Sequence, residues 1–158
     1  APYRHFAGKQ ALLAAVAEQG FRDMTAAMRH AAAGHVSDPA ARFRVLGLAY
    51  VAFAATHRSH FRVMFGLEAA DKSSYPGLRA AAEEAYGLLL EAIRDCRREG
   101  LLAPGDPSEQ ALAAWSVVHG LSVLIADRQL VDLKDRPADE LAAIVTRNLF
   151  LGLSVRPV

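Results

Sequence analysis

The sequence predicts an all-α fold, and composition is the first reason. Of the 158 residues, 32 are Ala and 20 are Leu, both strong helix formers, whereas the strand former Ile occurs three times. The second reason is the placement of helix start and stop signals, because glycines and X-Pro pairs divide the chain into segments with helical apolar spacing. Since the chain has no repeat of 20 to 50 residues and no low-complexity linker, we expect one domain of five or six helices.

Three helices are predicted in the N-terminal half. Residues 9–33 carry an apolar stripe at helical spacing and are followed by a glycine. Asp38 and Pro39 predict the start of the second helix, because an Asp cap precedes Pro at the first helical position. Residues 43–55 are apolar almost all round, which predicts a buried central helix, and a short helix over residues 58–65 follows.

Three longer helices are predicted in the C-terminal half. After a polar loop over residues 71–74, a helix over residues 76–99 has antiparallel-bundle spacing in its apolar seam. That seam consists of Leu78, Ala82, Ala85, Leu89, Ala92 and Cys96. Asp106 caps a helix over residues 107–127, and the last helix covers residues 137–153. Both final helices are more apolar than one domain can bury, so we expect them to form an interface with a partner.

Charge and hydropathy limit the class of protein. The formal charge of +1 hides a division, because residues 1–66 carry eight basic against three acidic residues and the remainder carries a net −4. Any polyanion contact is therefore expected near the N-terminus. The longest apolar run, residues 45–55, is shorter than the roughly 18 residues of a membrane helix, no signal peptide opens the chain, and Cys96 has no partner cysteine. We expect a soluble, cytoplasmic protein without a membrane partner.

Two motifs carry a resemblance to a known family. Residues 2–13 read PYRHFAGKQALL, and residues 115–120 read WSVVHG. The first closely resembles the Tyr-x-His-Phe-x-x-Lys-x-x-Leu-Leu run that joins the recognition helix to the regulatory domain in TetR-family transcriptional regulators. The second resembles the Trp-x-x-x-His-Gly signature of one subgroup of TetR C-terminal domains. The helix plan between the motifs is also similar to the family's.

The resemblance implies both a domain division and a function. Residues 1–8 would be the remnant of a helix-turn-helix domain, and residues 9–158 a ligand-binding and dimerisation domain. The protein would be a ligand-responsive, DNA-binding regulator, with repression as the expected mode, and a homodimer. Its partners would be operator DNA, through a helix-turn-helix that is mostly absent from this chain, and a small-molecule effector. No cofactor is expected.

Tyr3, Arg4, His5 and Lys9 are the candidate contacts to the DNA backbone. The tips of Tyr3, His5 and Lys9 could gather near one run of phosphates, and the free N–H groups at the start of the first helix would add to them. The resemblance gives these residues the same role. In the alternative interpretation, Tyr3 covers the hydrophobic junction and Lys9 is solvated.

A cavity for a small hydrophobic or aromatic effector would be built from apolar and aromatic side chains. The candidates are Met24, Met28, Tyr50, Phe53, His57, Phe61, Phe65, Tyr86, Leu89, Leu90, Ile93, Trp115, Val118, His119 and Ser122. Each of them could instead be plain core. Trp115 and His119 share a helix face, so they could form part of a pocket wall or pack in the core. Nothing in these segments indicates a strongly charged ligand.

The expected dimer interface lies on the last two helices. It comprises Leu112, Ser116, Leu141, Val145, Asn148, Leu149 and Gly152. No enzyme signature is present, His57 and His60 have no third ligand that would make a metal site, and Cys96 is expected to pack in a helix seam. Two rival functions stay open: a helical-bundle enzyme or carrier for a hydrophobic ligand, and an interaction module whose interior is filled by side chains.

Overall fold

Six α-helices contain most of the residues that the computed structural model describes, which are 8–66, 69–133 and 135–154. The helices are α1 (Lys9–Ala32), α2 (Pro39–Thr56), α3 (Arg58–Phe65), α4 (Pro76–Arg98), α5 (Pro107–Ala126) and α6 (Ala138–Leu153). Within the described ranges no β-strand is assigned, and the all-α prediction is confirmed.

α2 is the central helix and contacts each of the other five. It begins as predicted, with the Asp38 carboxylate accepting a hydrogen bond of 2.9 Å from the Ala41 N–H and with Pro39 at the first helical position. Val51 and Ala54 are fully buried. The prediction of a buried central helix is therefore confirmed.

α1 packs against α2, α3 and α4. At its contact with α3, a Cβ added to Gly20 would lie 2.6 Å from the Met64 sulfur, so any larger residue there would require the buried Met64 side chain to shift. At its contact with α4, Arg29 Nη2 donates to Glu84 Oε1 at 2.6 Å. The first helix is thus in direct contact with three neighbours along its length.

The apolar stripe of α4 is divided between two environments. Leu78, Ala85, Ala92 and Cys96 of the predicted seam are buried in the core. Ala82 and Leu89 of the same seam are partly buried and line a cavity. Ala81 and Leu88, each one residue earlier than Ala82 and Leu89, are buried in the core instead. One residue corresponds to a rotation of about 100° about the helix axis.

α5 and α6 are packed antiparallel, with the start of α5 next to the end of α6. Asp106 caps α5 as predicted, since its carboxylate accepts from the Ser108 N–H at 2.8 Å. The segment before α5 is joined to the end of α6, because the Ala103 N–H donates to the Leu153 carbonyl at 2.8 Å. This contact fixes where α6 ends relative to the start of α5.

α5 is also the one helix in the described part of the chain that is long and apolar enough to cross a membrane. Its mean hydropathy is 1.3 over an 18-residue window, of which 44% is buried inside the protein. Core helices of helical bundles share this length and composition, so the property is weak evidence for a membrane span.

Candidate ligand-binding site

A cavity of about 600 Å³ lies between α1, α2, α4, α5 and α6. Ligand-binding pockets typically enclose about 300–1,000 Å³. Most of the wall is apolar or aromatic. The lining residues are Phe21, Met24, Met28, Phe43, Leu46, Gly47, Tyr50, Phe65, Lys72, Ser73, Arg79, Ala82, Glu83, Ala85, Tyr86, Leu89, Ala114, Trp115, Val118, Thr146 and Leu149.

The structure brings together eight of the fifteen residues that the sequence proposed for ligand binding. They are Met24, Met28, Tyr50, Phe65, Tyr86, Leu89, Trp115 and Val118. The other seven do not line the cavity: Phe53, His57, Phe61, Leu90, Ile93, His119 and Ser122. Ligand contact by the eight stays a prediction.

Side-chain direction explains why four of the other seven residues lie off the wall. Phe61 and Ile93 are core residues, 2% and 0% exposed. The Ser122 hydroxyl is buried and donates to the Val118 carbonyl of its own helix at 2.9 Å. Leu90 follows a wall residue directly in sequence, so its side chain is rotated by about 100° from it.

A chain of hydrogen bonds joins α2 to α5 at the cavity wall. Trp115 Nε1 donates to the Tyr50 hydroxyl at 3.3 Å, and that hydroxyl lies 2.8 Å from His119 Nδ1. Trp115 Nε1, the Tyr50 hydroxyl and His119 Nδ1 thereby each have a hydrogen-bond partner in an otherwise apolar region. Trp115 therefore lies on the wall, while His119 lies behind it and is bonded to Tyr50.

Burial keeps this hydrogen-bonded group neutral. It raises the pKa of Tyr50 well above the ordinary value of 10.0, and the hydrogen bond from Trp115 opposes that shift only in part. Burial also lowers the pKa of His119 below its ordinary value of 6.5, and the positive charge of Lys72 lowers it further. Tyr50 and His119 are both uncharged at neutral pH.

Acidification should therefore destabilise the fold through His119. Because the folded-state pKa lies below 6.5, the unfolded chain takes up a proton first. The stability that neutral His119 contributes is present above about pH 6.5 and is lost as the pH falls toward the folded-state value. Between about pH 7.5 and 5.5, urea midpoints should fall more steeply for the wild type than for His119→Gln. Parallel slopes for the two proteins would contradict this assignment.

Some cavity residues escaped sequence analysis. Five polar ones are Lys72, Ser73, Arg79, Glu83 and Thr146. Lys72 and Ser73 belong to a segment that its composition predicts to be a solvated loop, and the path of a loop leaves no periodic signal. Phe21 also lines the wall, and it could have been found, because it shares the α1 stripe with Met24 and Met28.

The candidate DNA contacts lie at the edge of the described residues. Tyr3, Arg4 and His5 fall outside them, so their role stays a prediction. Lys9 is the first residue of α1 and follows Gly8, whose φ of 115° is a conformation that favours glycine.

The predicted dimer residues occupy three environments. Leu112, Ser116, Asn148 and Gly152 are exposed, and Val145 is half-buried. Leu149 is half-buried and lines the cavity, and Leu141 is 7% exposed and packs in the core of its own chain. The same two helices expose further apolar side chains that sequence analysis did not select: Val117, Val123, Leu124 and Leu151.

His57 and His60 lie side by side, with ring centroids 6.3 Å apart, but they are not part of a metal-binding cluster among the described residues. The His57 ring stacks on Phe53 with centroids 4.5 Å apart, and its Nδ1 lies 2.8 Å from the Thr56 hydroxyl. Among the residues with described positions, no group of three or more His, Cys, Asp or Glu side chains could hold a metal ion.

Comparisons with known proteins agree with the fold. The sequence profile of the tetracyclin repressor-like C-terminal domain family matches residues 43–149. A protein of unknown function from Rhodococcus sp. RHA1 is similar in structure, with a TM-score of 0.83, 33% identity and coverage of 98% of this chain and 79% of that one. The TetR family transcriptional regulator PfmR from Thermus thermophilus is similar too, with a TM-score of 0.76, 19% identity and coverage of 97% and 81%. A search of curated proteins gives no match.

Proposed function

Because this chain belongs to the TetR family, we propose that residues 9–158 are the effector-binding and dimerisation domain of a transcriptional repressor. The observation that carries the proposal is the cavity of about 600 Å³ with its aromatic and apolar wall. A wall of this kind favours a small hydrophobic or aromatic effector.

The position of α1 supports a route from the cavity to DNA. Phe21, Met24 and Met28 place the middle of this helix on the cavity wall. The 24-residue helix is about 36 Å long, so a small rotation at the wall moves its N-terminal end further. A ligand shifts this position only if it binds one arrangement of α1 more tightly than the other.

The outer faces of α5 and α6 support a homodimer. From residue 109 onward, the exposed positions of α5 form an arc of about 140°, with Gly120 near its middle and with Leu112 and Leu124 on either side. Nothing lies within 4 Å of the place where a Gly120 Cβ would be, so a second helix could approach closely there. On α6, Leu151 is 60% exposed. We propose that two copies bury these faces against each other.

We propose that DNA is bound by a helix-turn-helix joined to the N-terminal end of α1. The proposed location of the protein is the cytoplasm. Two such units in a dimer enter successive major grooves when they are about 34 Å apart, and Tyr3, Arg4, His5 and Lys9 would contact phosphates beside them. In protein that includes this unit, saturating effector should release operator DNA. Operator binding that is unchanged at saturation would contradict the induction mechanism.

Effector binding can be measured through Trp115, which is the single Trp of the chain and lies on the cavity wall. A library of small aromatic and aliphatic compounds should contain ligands that change its emission in a saturable way. At a hundred times the dissociation constant, a ligand stabilises the fold by about 2.7 kcal/mol, which should raise Tm by about 5–10 °C. Ala82→Phe, which fills the cavity, should abolish both responses.

Ala80→Phe is the matched control, because Ala80 is on the same helix and is exposed. It should leave ligand binding unchanged. A library that yields no ligand for the wild type would argue for a filled interaction module. Chemical turnover of a bound compound would argue instead for the enzyme or carrier.

A further inference from the structure

The cavity wall carries charge that does not cancel. Of its three charged residues, Arg79 and Glu83 pair with each other, since Arg79 Nε donates to Glu83 Oε1 at 2.7 Å. The third is Lys72, which is half-buried. No carboxylate in the described ranges lies within ion-pair distance of its ammonium. The charged wall residues that the structure describes therefore sum to about +1 at neutral pH.

The carboxylate next to Lys72 in sequence is occupied by its own turn. Asp71 accepts hydrogen bonds from the Ser73 N–H at 3.0 Å, from the Ser73 hydroxyl at 2.6 Å and from the Ser74 hydroxyl at 3.0 Å. These bonds fix the turn over residues 71–74 and lower the pKa of Asp71, and the positive charge of Lys72 lowers it further. The Ser73 hydroxyl is also used, because it donates to Asp71. Asp71 therefore makes no direct ion pair with Lys72, and an incoming anion can form one.

The Lys72 ammonium lies over two aromatic rings of the cavity wall. Its Nζ lies 5.5 Å from the centre of the Phe21 ring and 5.6 Å from that of Phe65, and both rings line the cavity. The faces of these two rings attract the ammonium through cation–π interactions, which offset part of the hydration that the ammonium loses there. The positive charge of Lys72 also lowers the pKa of His119, whose ring centroid lies 4.6 Å from that of Phe65.

We propose that the effector is a monocarboxylate whose aromatic or aliphatic body fills the cavity and whose carboxylate pairs with Lys72. This inference rests on the proposed ligand-binding function. A single negative charge matches the one described wall cation without a direct ion-pair partner, whereas a phosphate dianion would require further donors. The Phe21 and Phe65 rings under the ammonium place the apolar body of such a ligand directly beside its charged end.

Two probes of nearly equal size separate charge recognition from apolar binding. They are 2-naphthoate and 2-naphthalenemethanol, each titrated into the protein by calorimetry near neutral pH and low ionic strength. The wild type should bind the carboxylate about tenfold more tightly than the alcohol. Lys72→Met should bind the two probes about equally, because its affinity for the carboxylate falls. Lys72→Arg should keep the preference for the carboxylate over the alcohol.

Arg136→Met is the control for loss of a positive charge away from the cavity. Arg136 pairs with Glu140 at 3.0 Å and does not line the wall, so this variant should retain the full preference. Alcohol binding by Lys72→Met shows that its cavity is intact. If that variant does not fold, the wild type still gives a test: a change from about 0.02 M to 0.5 M salt should weaken binding of the carboxylate but not of the alcohol.

The outcomes separate this inference from the function on which it rests. Equal affinities of the wild type for the two probes, insensitive to salt, would overturn the proposed monocarboxylate while leaving an apolar effector site. A preference that persists in Lys72→Met would assign the anion to another residue and would overturn the role of Lys72. Absence of binding by both probes, together with a library that gives no ligand, would count against the proposed function itself.

Discussion

Leu112→Glu/Leu124→Glu should be monomeric at the micromolar concentrations at which we expect the wild type to be a dimer. The two side chains are 56% and 42% exposed within one chain, so the substitutions leave its core intact. In a dimer that buries the α5 face, each pair of copies would instead bury four carboxylates without partners. The cost of several kcal/mol exceeds what a modest apolar interface supplies. Sedimentation velocity or light scattering measures the mass.

A matched control adds the same charge to another surface. Ala26 on α1 and Ala80 on α4 are both exposed, so Ala26→Glu/Ala80→Glu changes net charge equally without altering α5 or α6. This variant should remain a dimer. A dimeric Leu112→Glu/Leu124→Glu protein, or a wild type that is monomeric at micromolar concentration, would show that the α5 face is not the interface.

Phe61→Ala should lower the free energy of unfolding by about 3–5 kcal/mol. Phe61 is 2% exposed, and its ring lies 4.9 Å from that of Phe65, 6.0 Å from that of Tyr50 and 5.5 Å from that of His119, between centroids. Truncation leaves a void directly behind the cavity wall and removes three aromatic contacts. Urea denaturation at a fixed protein concentration measures the loss, since the proposed dimer would make stability depend on concentration.

Phe61→Leu is the companion variant, because it keeps much of the apolar volume and should cost less than Phe61→Ala. A loss below about 1 kcal/mol for Phe61→Ala would mean that neighbouring rings collapse into the void. In that event the ligand cavity would also change shape, and naphthalene-sized probes would bind with altered affinity.

The helix plan could be predicted because its signals are local. Asp38 and Asp106 each cap a helix by accepting from a backbone N–H two or three residues later, and the Pro that follows each is already at the helical φ. These signals require no knowledge of the tertiary fold. Predicted and observed helix ends differ by no more than one residue where both were given.

The cavity could be predicted only in part, because an apolar stripe does not reveal what faces it. Leu88 and Leu89 are chemically equivalent, yet the first packs in the core and the second lines the cavity. His119 was proposed as a wall residue, but its nearest polar contact is Tyr50 on another helix. Lys72 acquires its place only through the path of a turn, so no pattern in the sequence reports it.

The single cysteine has a consequence for measuring motion in this protein. Cys96 is 0% exposed, its thiol donates to the Pro39 carbonyl at 3.2 Å, and burial raises its pKa to about 11. Maleimide and methanethiosulfonate reagents react with exposed thiolates, so the native chain already behaves as a cysteine-free background. A cysteine introduced at exposed Arg22 on α1 would carry one spin label per copy, and the label-to-label distance in a dimer would report directly how far ligand moves that helix.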